Sequence, residues 1–211
     1  LLLIIVIVFI SYKGFKNSAF FDRYQFEVDK ILLYKDYKRL VTSGFLHINW
    51  MHLLFNMFSL YFFSGVVEGS LGHFSFLLIY FTSLVGGGLL SLLIHRRNGD
   101  YSSVGASGAV CGVLFASVAL YPELGIQLFP FPISIPSWLY AVAYVLFTIY
   151  AIRSQKYNIG YDAHLGGALV GLALAIAMQL TGLRYNYSER LIILSPCLGF
   201  IYLIISRPGL F

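Results

Sequence analysis

Long apolar runs dominate this chain. Short breaks of charge, glycine or proline separate them, and run length more than periodicity sets the reading. The runs fall at about 1–12, 48–66, 74–94, 105–121, 136–152, 162–180 and 190–206. A bilayer core takes about 20 apolar residues per helix, so the pattern predicts seven membrane spans with short connections. The predicted fold is an all-α, multi-pass membrane protein forming one integral domain over 1–211. Six spans make a core over 1–180, and an additional C-terminal span lies at about 190–206. The longest connection, 13–47, mixes seven Lys or Arg with four acids and several aromatics. That composition predicts a structured loop in the headgroup region. Pro122 to Pro136 holds four prolines, which rules out one regular helix and predicts a segment dipping along the interface.

Composition agrees with this reading. The chain is 59% hydrophobic and 11% charged, with a mean hydropathy of +0.80, which excludes an ordinary soluble domain. The net charge of +5 does not point to nucleic acid, because the 14 Lys and Arg are scattered among loops and form no basic, aromatic-interleaved face. Anchoring at the lipid surface is the reading they support. Cys111 and Cys197 both lie inside apolar runs, so neither a disulfide framework nor a CxxC metal site is expected. The chain opens on Leu1 within an apolar run, which reads as an N-terminal truncation and not as a signal peptide.

If spans alternate direction, the second, fourth and sixth enter the bilayer from one side. Their N-terminal ends carry His52 and Asn56, then Ser107, then His164. Each lies within about two helical turns of the start, so all sit at one depth, roughly 10 Å or less below the surface. Ser107 stands in Gly105-Ala106-Ser107-Gly108. Flanking glycines let another chain approach the hydroxyl, and the free N–H groups of a helix start can stabilise an oxyanion; a plain serine N-cap with packing glycines is the competing reading. His164 opens a helix whose Gly167 and Gly171 have GxxxG spacing, matched by Gly108 and Gly112. Such faces let two backbones close up, which a Ser–His pair needs to reach about 2.6–3.2 Å. The alternative is a membrane histidine bonded to a neighbouring helix. His52 and Asn56 are four apart, share a face, and can both donate hydrogen bonds to a developing oxyanion. A metal pair drawing on His47, His73 or His95 competes, but there is no HExxH or carboxylate cluster, so no metal and no cofactor are expected.

The runs His47-Ile48-Asn49-Trp50-Met51-His52-Leu53-Leu54-Phe55-Asn56-Met57, Gly105-Ala106-Ser107-Gly108 and Ala163-His164-Leu165-Gly166-Gly167 resemble, in this order, the three signatures of the rhomboid family of intramembrane serine proteases. The resemblance covers nearly the whole chain from the first span to about residue 180. It implies a rhomboid-like six-helix transmembrane bundle, here with one further C-terminal helix. It also implies a Ser107–His164 dyad without a catalytic Asp, and an oxyanion held by the His52 imidazole, the Asn56 side chain and the Ser107 backbone N–H. Arg39 resembles the family's Trp-Arg element, with Lys38 where the Trp would stand; Glu68 and Gly72 resemble its structural acid and glycine. Gly105 and Gly171 fall where the family packs tightly. Cys111 takes a place where related proteases often carry an aromatic that packs on the catalytic histidine.

Attack on a helical amide requires unwinding, so the implied partners are transmembrane proteins whose helix is weakened near its end, hydrolysed beside the fifth span. The residues fix no oligomeric state. The family resemblance puts the site on the non-cytoplasmic side, whereas the charge of loops 13–47, 95–104 and 153–161 points the other way by the positive-inside rule. A catalytically inactive rhomboid-like binding protein is the alternative function. A transporter would place its polar residues at mid-membrane, which this chain does not.

Overall fold

The structure, a computed structural model, describes residues 2–127, 133–154 and 160–179, with the isolated positions 195, 199 and 202. The predicted seventh span, 190–206, therefore lies outside the described residues apart from those three positions. The first apolar run forms α1, Leu2–Lys16, which runs past residue 12 and ends on Lys13 and Lys16, cations suited to a helix C-terminus.

The 13–47 connection is structured, as its composition predicts. Asn17 caps the short α2, Ser18–Tyr24, by accepting from the Phe20 N–H at 2.9 Å. Strand β1, Phe26–Glu27, follows, then α3, Val28–Leu32, α4, Arg39–Thr42, and a 3-10 turn, Ser43–Phe45. Arg39 organises the loop from inside it. Only 5% exposed, its guanidinium donates to the Asp22 and Gln25 carbonyls at 3.0 and 2.7 Å and to the Asp36 carboxylate at 3.0 Å. A buried guanidinium is tolerated because carbonyls and a carboxylate surround it.

The second and third predicted spans emerge as a single element, α5, Trp50–His95, broken at Gly72. Gly72 has φ +82°, a conformation a side chain would resist. Around the break Glu68 Oε2 lies 3.0 Å from His73 Nδ1. After β2, Ser102–Ser103, comes α6, Ser107–Leu120; α7, Ser137–Ser154, and α8, Tyr161–Gln179, complete the described helices. In the proline-rich segment the described residues form two strands: β3, Gly125–Gln127, pairs antiparallel with β4, Ser134–Pro136.

Helices α5, α7 and α8 are long and apolar enough to cross a membrane, and α6 is a shorter apolar helix. The outer faces of α5 and α7 expose Phe55, Phe58, Tyr61, Phe62, Leu146 and Phe147, a surface that suits lipid and not water. The protein is an integral membrane protein built mostly of helices. At its centre lies α6, packed between α5 and α8, with every residue from Gly108 to Leu120 buried. Glycine explains the closeness of these helices. A methyl on Gly167 or Gly171 would collide with the carbonyl oxygens of Gly108 and Gly112, and one on Gly87 would lie 2.5 Å from the Ala163 oxygen.

Candidate active site

Three helix starts meet at one end of this packed centre. Asn49 caps α5 by accepting from the His52 N–H at 2.8 Å, which sets His52 and Asn56 on the inward face of its first two turns. Ser107 is the first residue of α6, and His164 lies in the first turn of α8. The parity argument from the sequence brings these residues to one level, and the tertiary structure brings them into contact range. His164 Nε2 and Ser107 Oγ are 2.7 Å apart. Both side chains are half-buried and line a cleft of about 1140 Å³, along with His52, Asn56, Cys111 and Tyr144.

Gly105 shapes the other wall. Its φ of +134° turns the chain sharply into α6, and its N–H donates to the Ser43 carbonyl at 3.0 Å. A methyl there would sit 2.9 Å from His52 Nε2 and 3.6 Å from Ser107 Oγ, so imidazole and hydroxyl border the same small space. Asn56 is buried and spends one amide hydrogen on the His52 carbonyl at 2.9 Å, leaving its second N–H for a ligand. The opening N–H groups of α6 have no acceptor within the helix, as at any helix start.

His47 is buried behind this wall. Its Nδ1 lies 2.8 Å from Ser11 Oγ, and the Ser11 hydroxyl already donates to the Phe45 carbonyl at 2.8 Å. His47 Nδ1 is therefore the donor to Ser11. That leaves Nε2 as an acceptor, and it receives the Ala106 N–H at 3.4 Å. Burial, with the neighbouring His52, pushes the His47 pKa down to about 3, so the ring stays neutral and keeps its acceptor. The sequence weighed His47 as a metal ligand and as the first residue of a signature run, without a structural role; its place is beneath the backbone that presents Ser107.

Asp162, two residues before His164, turns away from it. Its carboxylate lies 3.3 Å from His95 Nε2 and receives the Tyr101 hydroxyl at a long 3.5 Å. His95 stacks flat on Tyr101, with ring centres 3.6 Å apart. Burial and then Asp162 push the Tyr101 hydroxyl above its ordinary pKa, so it remains a donor. Strand β2 continues from this cluster and pairs with β1 in the 13–47 loop, Phe26 opposite Ser103.

Two aromatics approach His164 that sequence reasoning missed. Tyr161 meets its ring edge-on at 5.7 Å. Tyr144 of α7 lies with its hydroxyl 3.0 Å from His164 Nδ1. No sequence motif surrounds Tyr144, and only the packing of α7 against α6 and α8 could reveal it. Cys111, the departure noted in the sequence, has its sulfur 3.1 Å from the same hydroxyl.

Fold and site thus define a helical membrane protein that holds a serine hydroxyl against an imidazole at a shared helix-start level. The Rhomboid domain matches residues 34–180 of the chain, which belongs to the rhomboid family. It is 34% identical to Rhomboid protein 1, mitochondrial, of Saccharomyces cerevisiae over 67% of this chain and 43% of that protein. It is 38% identical to Rhomboid-like protein 11, chloroplastic, of Arabidopsis thaliana over 64% of this chain and 50% of that one. Presenilin-associated rhomboid-like protein, mitochondrial, of Homo sapiens is 30% identical over 63% of the chain and 36% of its own length. The chain spans half or less of each of these relatives.

Proposed function

We propose that the chain is an intramembrane serine endopeptidase that cleaves transmembrane-helix substrates near the membrane surface. The observation that carries this reading is the 2.7 Å approach of His164 Nε2 to Ser107 Oγ, two residues 57 positions apart in the chain. In the mechanism, Ser107 Oγ attacks the scissile carbonyl while its proton passes to His164 Nε2, and the same proton then leaves with the amine. Water, deprotonated by His164, hydrolyses the resulting ester and regenerates the hydroxyl. Negative charge on the carbonyl oxygen falls to the second Asn56 N–H, the His52 ring and the Ser107 backbone N–H, donors of the kind worth about 2.7–4 kcal/mol each in a dry site. His52 Nε2 borders the Gly105 wall of the cleft, a position that suits this role.

The core of this single domain is six spans: α1, the two parts of α5, α6, α7 and α8. Its site opens to the non-cytoplasmic side, which protease accessibility of the 95–104 loop in sealed vesicles tests. The enzymatic reading is tested by a gel assay of a model transmembrane substrate together with fluorophosphonate labelling. Ser107→Ala and His164→Ala lose at least about 10³-fold in turnover while melting like the wild type. Normal turnover by either variant refutes the dyad, and an unlabelled, inactive wild type favours a catalytically inactive binding protein.

A further inference from the structure

A Ser–His pair works only if the imidazole presents a lone pair at Nε2, which requires its single ring proton to be on Nδ1. Something must hold that proton. Asp162 does not, because its carboxylate is turned to His95 and Tyr101. The atom within reach of Nδ1 is the Tyr144 hydroxyl, at 3.0 Å.

The helix surface explains how it arrives there. Buried residues on α7 fall at Ser137, Ala141, Val145, Thr148 and Ala151, one stripe at spacings of four, four, three and three. Tyr140 and Tyr144 each precede a stripe residue and so border the seam. Tyr140 stacks on Tyr144 at 6.0 Å between ring centres, and Phe115 of α6 meets Tyr144 edge-on at 5.8 Å. With the ring clamped between them, its oxygen is fixed between His164 Nδ1 and Cys111 Sγ, 3.1 Å away.

We propose that Tyr144 is the positioning residue for the His164 base, with Cys111 orienting its hydroxyl. The dyad sets the direction in which the protons run, because Ser107 must donate to Nε2. Ser107 O–H donates to His164 Nε2, His164 Nδ1–H donates to the Tyr144 oxygen, and Tyr144 O–H donates to the Cys111 sulfur. The hydroxyl fixes the tautomer and plane of the imidazole, the orienting part of a triad carboxylate's work. Being neutral, it offers the imidazolium no charge. Its removal therefore costs less than the roughly 10⁴-fold caused by disabling a triad aspartate. A loss of about 10- to 100-fold is what a loosened base produces. In this arrangement Cys111, standing where an aromatic is often found, makes room for a tyrosine from the neighbouring helix.

The inference rests on the Ser–His reading above, and the experiment separates the two. The full chain in detergent is compared as wild type, Tyr144→Phe and Cys111→Ala, by fluorophosphonate labelling, by steady-state cleavage of a transmembrane substrate and by ¹⁵N NMR of His164 at neutral pH. Tyr144→Phe keeps the ring and its packing. It is expected to label and turn over about 10- to 100-fold more slowly with KM within about twofold, and to convert His164 from the Nδ1–H tautomer to a mixture. Cys111→Ala shows a smaller loss in the same rates. Labelled wild type with an equally fast Tyr144→Phe overturns the Tyr144 role alone. Wild-type His164 found as the Nε2–H tautomer overturns it without reference to any variant. An unlabelled wild type removes the Ser–His reading, and the role of Tyr144 with it.

Discussion

The α6–α8 seam and the flank formed by α7 hold the same site by different means. Along α6, 13 of 14 residues are buried; along α7, five of 18 are, in a single stripe. The seam is backbone against backbone, since glycines on each helix meet carbonyls of the other with no room for a methyl. The flank is side chain against side chain, and much of its outer surface, including Leu146 and Phe147, is open to lipid. Ser107 and His164 sit on the seam, where an added methyl on Gly167 or Gly171 would meet backbone. The Tyr144 hydroxyl behind His164 comes from the flank. A site split in this way puts Ser107 and His164 on the most constrained packing, and leaves the contact behind His164 to the helix with fewer buried residues.

Crowding the seam should have the largest effect. Gly171→Val places a branched side chain against the Gly112 carbonyl and is expected to destabilise by about 3 kcal/mol or more, read as a lowered melting temperature in detergent. A wild-type melt would break the contrast. Gly105→Ala comes next. Its φ of +134° and a methyl 2.7 Å from His52 Cε1 should cost about 1–3 kcal/mol, with a disproportionate loss of fluorophosphonate labelling because the cleft wall moves.

A third outcome concerns pH. His47 has a folded pKa of about 3 against 6.5 for the free group, so below 6.5 the unfolded chain binds a proton that the folded one refuses. The stability that depends on His47 is therefore present above pH 6.5 and lost as pH falls toward 3. His47→Gln should lower the neutral-pH melting temperature and flatten part of this acid slope; an unchanged slope would detach His47 from the wall it supports. The smallest effect belongs to the flank's outer face. Leu146, 54% exposed, should tolerate Ala within about 0.5 kcal/mol, and a larger loss would show that α7 is covered by something other than lipid.

Much of the scaffold is legible in the residues because lipid imposes a single requirement, long apolar runs with polar breaks. The Gly167–Gly171 spacing announces close packing, and the depths of His52, Ser107 and His164 follow from helix direction. The union of two spans across Gly72 is less visible, since its φ of +82° is a local backbone choice that several glycines nearby could have made. The proline-rich segment signals only that it is not one helix; the β3–β4 pairing depends on how its two ends return to each other.

The sequence by itself determined that the protein lives in a membrane, which helix starts carry polar groups, and that a hydroxyl and an imidazole share a level. These are properties of one helix at a time, set by composition, period and direction. Only the tertiary structure decided that Asp162 serves His95 and Tyr101, that His47 supports the Ala106 backbone, and that Tyr144 and Cys111 stand behind His164. Those partnerships depend on the rotation of one helix about its axis relative to its neighbours. On an apolar helix such as α7 that rotation leaves no clear trace in the order of residues, because lipid-facing and protein-facing positions are both apolar and the choice is made by packing.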